Sequence, residues 1–188
     1  MIITIHQPNF FPWYPLFQKI EGADKFVFLN NAQFQKNNLQ NRFNFNDKWH
    51  TLSVNSGLEP IVTKKYINPE RDWNKIKSNL INYSNVLNQF DDLIKDGLVE
   101  TNTKIVEKIC NILNIKTEIL FDYSTNLTST DRIVDICLHY KADVYLSGIS
   151  GRNYLELNKF EENGIKVIFQ DESKMIKKPI IEIIKNRI

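Results

Sequence analysis

Cysteine is scarce in this chain of 188 residues: there are two, Cys110 and Cys137. So few exclude a disulfide framework as the source of stability. Each sits in a stretch with helical spacing, IVEKICNIL and RIVDICLHY, so buried thiols on a core face are expected rather than nucleophiles. Histidine is nearly as rare. His6, His50 and His139 lie far apart, and neither CxxC nor HxxxH spacing occurs, so no metal site is expected. An excess of one charge is also missing. Lys and Arg number 24 against 22 Asp and Glu, and the net charge of +2 is too small to point to nucleic acid or an anionic membrane. No apolar run approaches the roughly 20 residues that span a bilayer. No basic segment followed by a long apolar stretch opens the chain, so a cytoplasmic protein is expected. GxGxxG, GxxxxGK[ST] and GxSxG are all absent, which removes the P-loop and the nucleophile elbow. Asp91-Asp92 and Glu161-Glu162 fall in helical stretches and read as solvated faces, so nothing supports a paired-carboxylate site.

What is present is an alternation of short apolar runs and amphipathic stretches. Ile2 to Ile5 reads as a buried strand, Tyr14 to Glu21 as a short helix stopped by Gly22, and Lys25 to Leu29 as a second strand. Strand, helix and strand in about thirty residues imply a parallel pair. Leu98 to Leu113 has clear helical periodicity, and Thr117 to Phe121 reads as a strand. Thr128, with Asp131 three residues on, suggests a helix N-cap. Asp143 to Leu146 and Ile165 to Phe169 are further strands, separated by a helix over Tyr154 to Glu162. A short helix is expected within Pro179 to Ile188. The fold class is therefore α/β: a three-layer sandwich with a mostly parallel central sheet. Between Asn30 and Tyr66 the chain is polar and Asn-rich, but Phe34, Phe43 and Phe45 argue for order. Arg42 to Phe45 and Trp49 to Val54 suggest a hairpin turning at Asn46-Asp47. One domain over residues 1–188 is expected, with a polar antiparallel insertion near residues 30–66.

Three groups of residues have the right chemistry for a site. His6 directly follows the first strand, where open α/β sheets put their ligands. Its imidazole suits a general base near neutral pH, or a plain backbone-bonded role. Gln7 and Asn9 follow on a loop stiffened by Pro8 and Pro12, with Trp13 beside it. With Gln33 and Asn41 they offer amide donors and acceptors for a sugar, a base or an amide, or simply for irregular backbone. Arg42 can fork onto a carboxylate or phosphate. The third group is SGISGRNY, Ser147 to Tyr154, where a strand ends, Gly148 and Gly151 turn and a helix is expected to begin. Free N–H groups at such a start, with Arg152 nearby, suit an anion; a tight βα turn is the alternative.

Taken together, IHQPNFFPW (Ile5 to Trp13), FVFLNNAQF (Phe26 to Phe34), the Asn41-Arg42 pair, the Trp49 strand and YLSGISGRNYL (Tyr145 to Leu155) resemble the WbqC-like protein family. The chain departs from it at Asn30-Asn31, where the family often has an acidic pair. The resemblance implies a place in surface-polysaccharide (O-antigen) biosynthesis. It further implies transfer of an acyl or aminoacyl group, such as glycyl, to the amine of a nucleotide-linked amino sugar. In that scheme His6 takes the amine's proton, and Gln7 or Asn9 side chains, or backbone N–H groups near Gly148 and Gly151, supply oxyanion donors. Trp13, Gln33, Asn41, Arg42, Gly148, Gly151, Arg152 and Tyr154 hold substrate. The partners are that sugar and an activated acyl or aminoacyl donor, with nucleic acid only if the donor is a charged tRNA; no cofactor is specified. Ala142 to Gln170 is also similar, at the level of fold, to the nucleotide-binding half of pantothenate synthetase-like enzymes, although their HxGH signature is missing. That likeness implies an ATP-dependent amide-forming ligase. A non-catalytic sugar-nucleotide-binding protein of the same pathway is the remaining alternative.

Overall fold

The computed structural model describes every residue, Met1–Ile188. The chain divides into two compact units, each drawn from separated stretches of sequence. The first comprises residues 1–6, 15–29 and 116–176, and the second residues 7–14, 30–115 and 177–188.

The first unit is built on a five-stranded sheet in the order β5-β2-β1-β6-β7. Its strands are β1 (Ile2–His6), β2 (Lys25–Phe28), β5 (Glu118–Phe121), β6 (Val144–Ser147) and β7 (Lys166–Phe169). Every pairing in it is parallel. The expected strands are thus present, shifted by a residue or so at their ends. Central strands of a parallel sheet are covered on both faces and need near-continuous apolar sequence. In β1, Ile3, Thr4 and Ile5 are buried in succession, and the Thr4 hydroxyl is satisfied by donating to Leu146 O at 2.8 Å. Helices α1 (Tyr14–Glu21), α5 (Ser129–His139) and α6 (Leu157–Glu162) serve as crossovers. One apolar cluster joins Ile3, Ile5 and Val27 to Ile133, Ile136 and Cys137 of α5 and to Phe160 of α6. Phe160 stacks on Tyr145 with ring centroids 5.4 Å apart. Burying a side chain of that size contributes about 2–3 kcal/mol. Thr128 is the N-cap of α5, as expected, although its side chain makes no capping hydrogen bond.

The second unit contains the hairpin of β3 (Arg42–Phe45) and β4 (Lys48–Thr51), helices α2 (Pro69–Asn79), α3 (Ser84–Leu87) and α4 (Leu98–Ile112), and the terminal helix α7 (Ile180–Ile184). The hairpin turns at Asn46 and Asp47, both with positive φ (50° and 58°), the geometry a two-residue turn demands and these residue types tolerate. Its core is aromatic. Phe11 stacks on Trp73 at 5.5 Å and meets Phe10 and Phe90 edge-on, each at 5.1 Å. The irregular backbone is tied by buried side chains. Asn102, on α4, donates to Pro8 O at 2.8 Å and Gln40 O at 2.7 Å, and accepts from the Tyr66 hydroxyl at 2.8 Å. Lys64 is buried, and its ammonium donates to Asn55 O, Ser56 O, Gly57 O and the Glu59 carboxylate at 2.6–3.2 Å. No helix is long and apolar enough to cross a membrane.

Candidate functional site

Strand order decides where the first unit can hold a ligand. From β1 the chain moves outward through β2 to β5, returns to the other side of β1 as β6, and continues outward to β7. Numbered by appearance along the sheet, this is 3-2-1-4-5, a doubly wound order. Connections leave β1 and β6 in opposite directions, so a crevice opens at their carboxyl ends, and such switch points bind ligands. A cleft of about 320 Å³ lies there, within the first unit. Ile5 and His6 end β1, and Gly148, Ile149 and Ser150 follow β6; all line it. Lys19, Tyr145, Tyr154 and Gln170 supply the remaining polar side chains of the lining. The volume is at the lower end of the small-molecule range of about 300–1,000 Å³.

The turn after β6 differs from expectation. Ile149–Asn153 forms a 3-10 turn, and α6 begins only at Leu157. The Gly151 N–H is spent on Gly148 O at 3.0 Å and the Tyr154 N–H on Gly151 O at 3.2 Å. The helix expected to begin in SGISGRNY is thus a short 3-10 turn, with the α-helix starting later; glycine spacing alone does not distinguish a 3-10 turn from an α-helical one. Gly151 has a steric reason instead: a Cβ there would collide with Ser147 Oγ and come within 3.0 Å of Leu155 Cδ1. Arg152 places its guanidinium over the Phe169 ring, 4.8 Å from the centroid, which leaves its edge available to solvent and solutes.

Of the residues singled out in the sequence, His6, Gly148 and Tyr154 meet in this cleft, with Gly151 and Arg152 in the same turn. Burial raises the Tyr154 hydroxyl above the ordinary tyrosine range. The others belong to the second unit, because the chain passes from one unit to the other between His6 and Gln7. There Gln7 accepts from Gln40 Nε2 at 2.7 Å. Asn9 is buried. Asn41 donates to Leu52 O at 2.8 Å. Gln33 donates to Leu58 O. Arg42 donates to Asn37 O and lies 4.0 Å from the Trp49 ring centroid. Trp13 is partly exposed.

One lining residue escapes sequence reasoning. Lys19 is 4% exposed, on the inward face of α1, and its Nζ donates to Ile5 O at 3.1 Å. Burial pulls its ammonium down from the usual lysine range to about 7, because a cation loses hydration there that one carbonyl does not replace. A lysine in YPLFQKIE reads as a surface residue; its only sequence signal is its place one position before the apolar Ile20 on an otherwise apolar helix face. The thiols of Cys110 and Cys137 are buried, as expected, and burial pushes each up to about 12. No cluster of three or more His, Cys, Asp or Glu side chains that could hold a metal is present.

Comparison with known proteins decides the family. The model of the WbqC-like protein family matches residues 7–178. The chain belongs to that family. An uncharacterized protein of Mycobacterium tuberculosis is 26% identical over 90% of this chain and 81% of its own length. No solved structure matches. The family match runs through both compact units, so neither is an addition peculiar to this WbqC-like protein.

Proposed function

We propose that this WbqC-like protein is a cytoplasmic acyl or aminoacyl transferase, with glycyl as one candidate group. Its acceptor is the amine of a nucleotide-linked amino sugar used in surface-polysaccharide (O-antigen) biosynthesis. The observation that carries the reading is the position of His6 beside Gly148 and Tyr154 in a cleft at the sheet's switch point. An amine attacking an activated acyl carbon must shed a proton as the tetrahedral oxyanion forms, and an imidazole at that mouth accepts it. Donors aimed at the oxyanion lower the barrier further, and the Tyr154 hydroxyl, protonated at neutral pH like any tyrosine, is one. Arg152 offers a fixed cation for the diphosphate. The activated donor is a thioester, an acyl adenylate or an aminoacyl-tRNA.

The 3-2-1-4-5 sheet favours one second reading, an ATP-dependent amide-forming ligase, since doubly wound sheets take nucleotides at this crevice. A thermal-shift screen against nucleotide-linked amino sugars, ATP, acyl-CoA and glycine separates the two, because a specific ligand raises apparent stability by mass action. Transfer predicts a shift with an amino-sugar nucleotide that Arg152→Ala removes, and turnover that His6→Ala abolishes. A shift with ATP alone moves the assignment to the ligase. Binding of the sugar nucleotide without turnover under any donor makes the protein a non-catalytic carrier.

A further inference from the structure

The floor of the cleft is chemically one-sided. Its titratable lining consists of His6 from β1, Lys19 from α1, Tyr145 from β6 and Tyr154 from the turn beyond it; no Asp or Glu lines it. Lys19 is the only lysine or arginine among the lining residues. An ammonium carries three N–H donors, and Lys19 has a single protein acceptor, Ile5 O, with no carboxylate in ion-pair range. The contrast within the same chain is instructive. The other deeply buried lysine, Lys64, is met by three carbonyls and a carboxylate. Lys64 is therefore satisfied within the protein, and Lys19 is not. A buried lysine with two unmet donors, at the edge of an open cleft and at a switch point, is arranged for an acceptor that arrives from outside.

We infer that the cleft is a receptor for a phosphate group, whose anionic oxygens complete the coordination of Lys19 beneath His6. Phosphate fits better than a neutral sugar hydroxyl because it brings both negative charge and several acceptor oxygens to one place. It fits better than a carboxylate because doubly wound sheets receive phosphates at this crevice. Burial favours the neutral amine of Lys19 and an anion beside it favours the ammonium, so above neutral pH binding takes up a proton. The inference depends on the cleft and not on acyl transfer, and it stands if the chemistry proves to be ligation or simple binding.

Calorimetry on the full chain tests it, run near pH ~8 in two buffers of different protonation heat, with inorganic phosphate, pyrophosphate, UDP and ATP as probes and glycine as the phosphate-free carboxylate. With burial lowering the Lys19 amine to about 7, it is largely neutral at that pH, and binding of a phosphate takes up a large part of one proton. Lys19→Met abolishes the uptake and weakens binding at least about tenfold, the size of one charge-assisted contact. Lys19→Arg, which is charged throughout, still binds and takes up none. Equal affinity for inorganic phosphate and UDP identifies a bare phosphate; tighter UDP or ATP identifies a nucleotide. Binding of glycine alone, failure of every phosphate probe, or uptake that survives in Lys19→Met overturns the inference, the last assigning the proton to a group other than Lys19.

Discussion

Lys19 should destabilise the protein it belongs to. In the unfolded chain its amine titrates near the ordinary 10.5, and in the folded cleft near 7. Between those values the unfolded state binds more protons, so stability rises with pH across that window and is lowest below it. Each pH unit is worth about 1.4 kcal/mol. From neutral pH to pH 10 the lysine's penalty therefore shrinks by about 3–4 kcal/mol, a large share of a typical domain's total. Lys19→Met keeps the apolar stem, removes the charge and should raise stability near pH 7 by a few kcal/mol. Its advantage over wild type should fade as pH climbs towards 10. Urea unfolding of both proteins at a series of pH values reads this directly, and taking the difference cancels every other titrating group. A Lys19→Met protein that is less stable than wild type at neutral pH, or a difference independent of pH, would refute the reasoning. A residue kept at such a cost is expected where function needs it.

Other outcomes follow from single contacts. Asn102→Ala strands Pro8 O, Gln40 O and the Tyr66 hydroxyl, and should cost about 3–5 kcal/mol, read as a lower urea midpoint. Gly151→Ala forces its Cβ against Ser147 Oγ and should cost about 1–3 kcal/mol while weakening any ligand-induced thermal shift. A thiol reagent at neutral pH should label neither Cys110 nor Cys137 in the native protein and both after denaturation, since each is buried and its thiolate disfavoured.

Much of the sheet is legible in the sequence, because strands covered on both faces must be apolar throughout. Ile2 to Ile5 and Lys25 to Leu29 announce themselves that way. The hairpin is legible for a different reason: Asn46-Asp47 supplies two residues that tolerate positive φ. His6 and Gly148 are legible because they lie at strand ends, where switch-point ligands sit. Lys19 and Asn102 are not legible, since each is a polar residue buried by partners distant in sequence; Lys64 is not legible because its acceptors are mostly carbonyls of an irregular loop, Asn55 to Gly57, which carry no side-chain signal. Lys19 sits below the carboxyl end of β1, and Asn102 reaches back to Pro8. The span from Ile149 to Glu156 is misread for want of a local signal: a 3-10 turn and the start of an α-helix use the same residue types.

The central position of β1 also sets the order of assembly. Of the five strands of its sheet it is made first, and β2 joins it after a short crossover. Its other neighbour, β6, does not exist until Val144 has been made. At about 5–20 residues per second, the nascent chain carries that half-paired strand for on the order of ten seconds. Through that interval the backbone amides on the open side of β1 are a template for any passing strand. Its brevity, at five residues, shortens the template that a stray strand would find. The crevice at the β1–β6 junction is therefore among the last features of the first unit to form, and the protein gains its cleft only when its sheet has closed around its oldest strand.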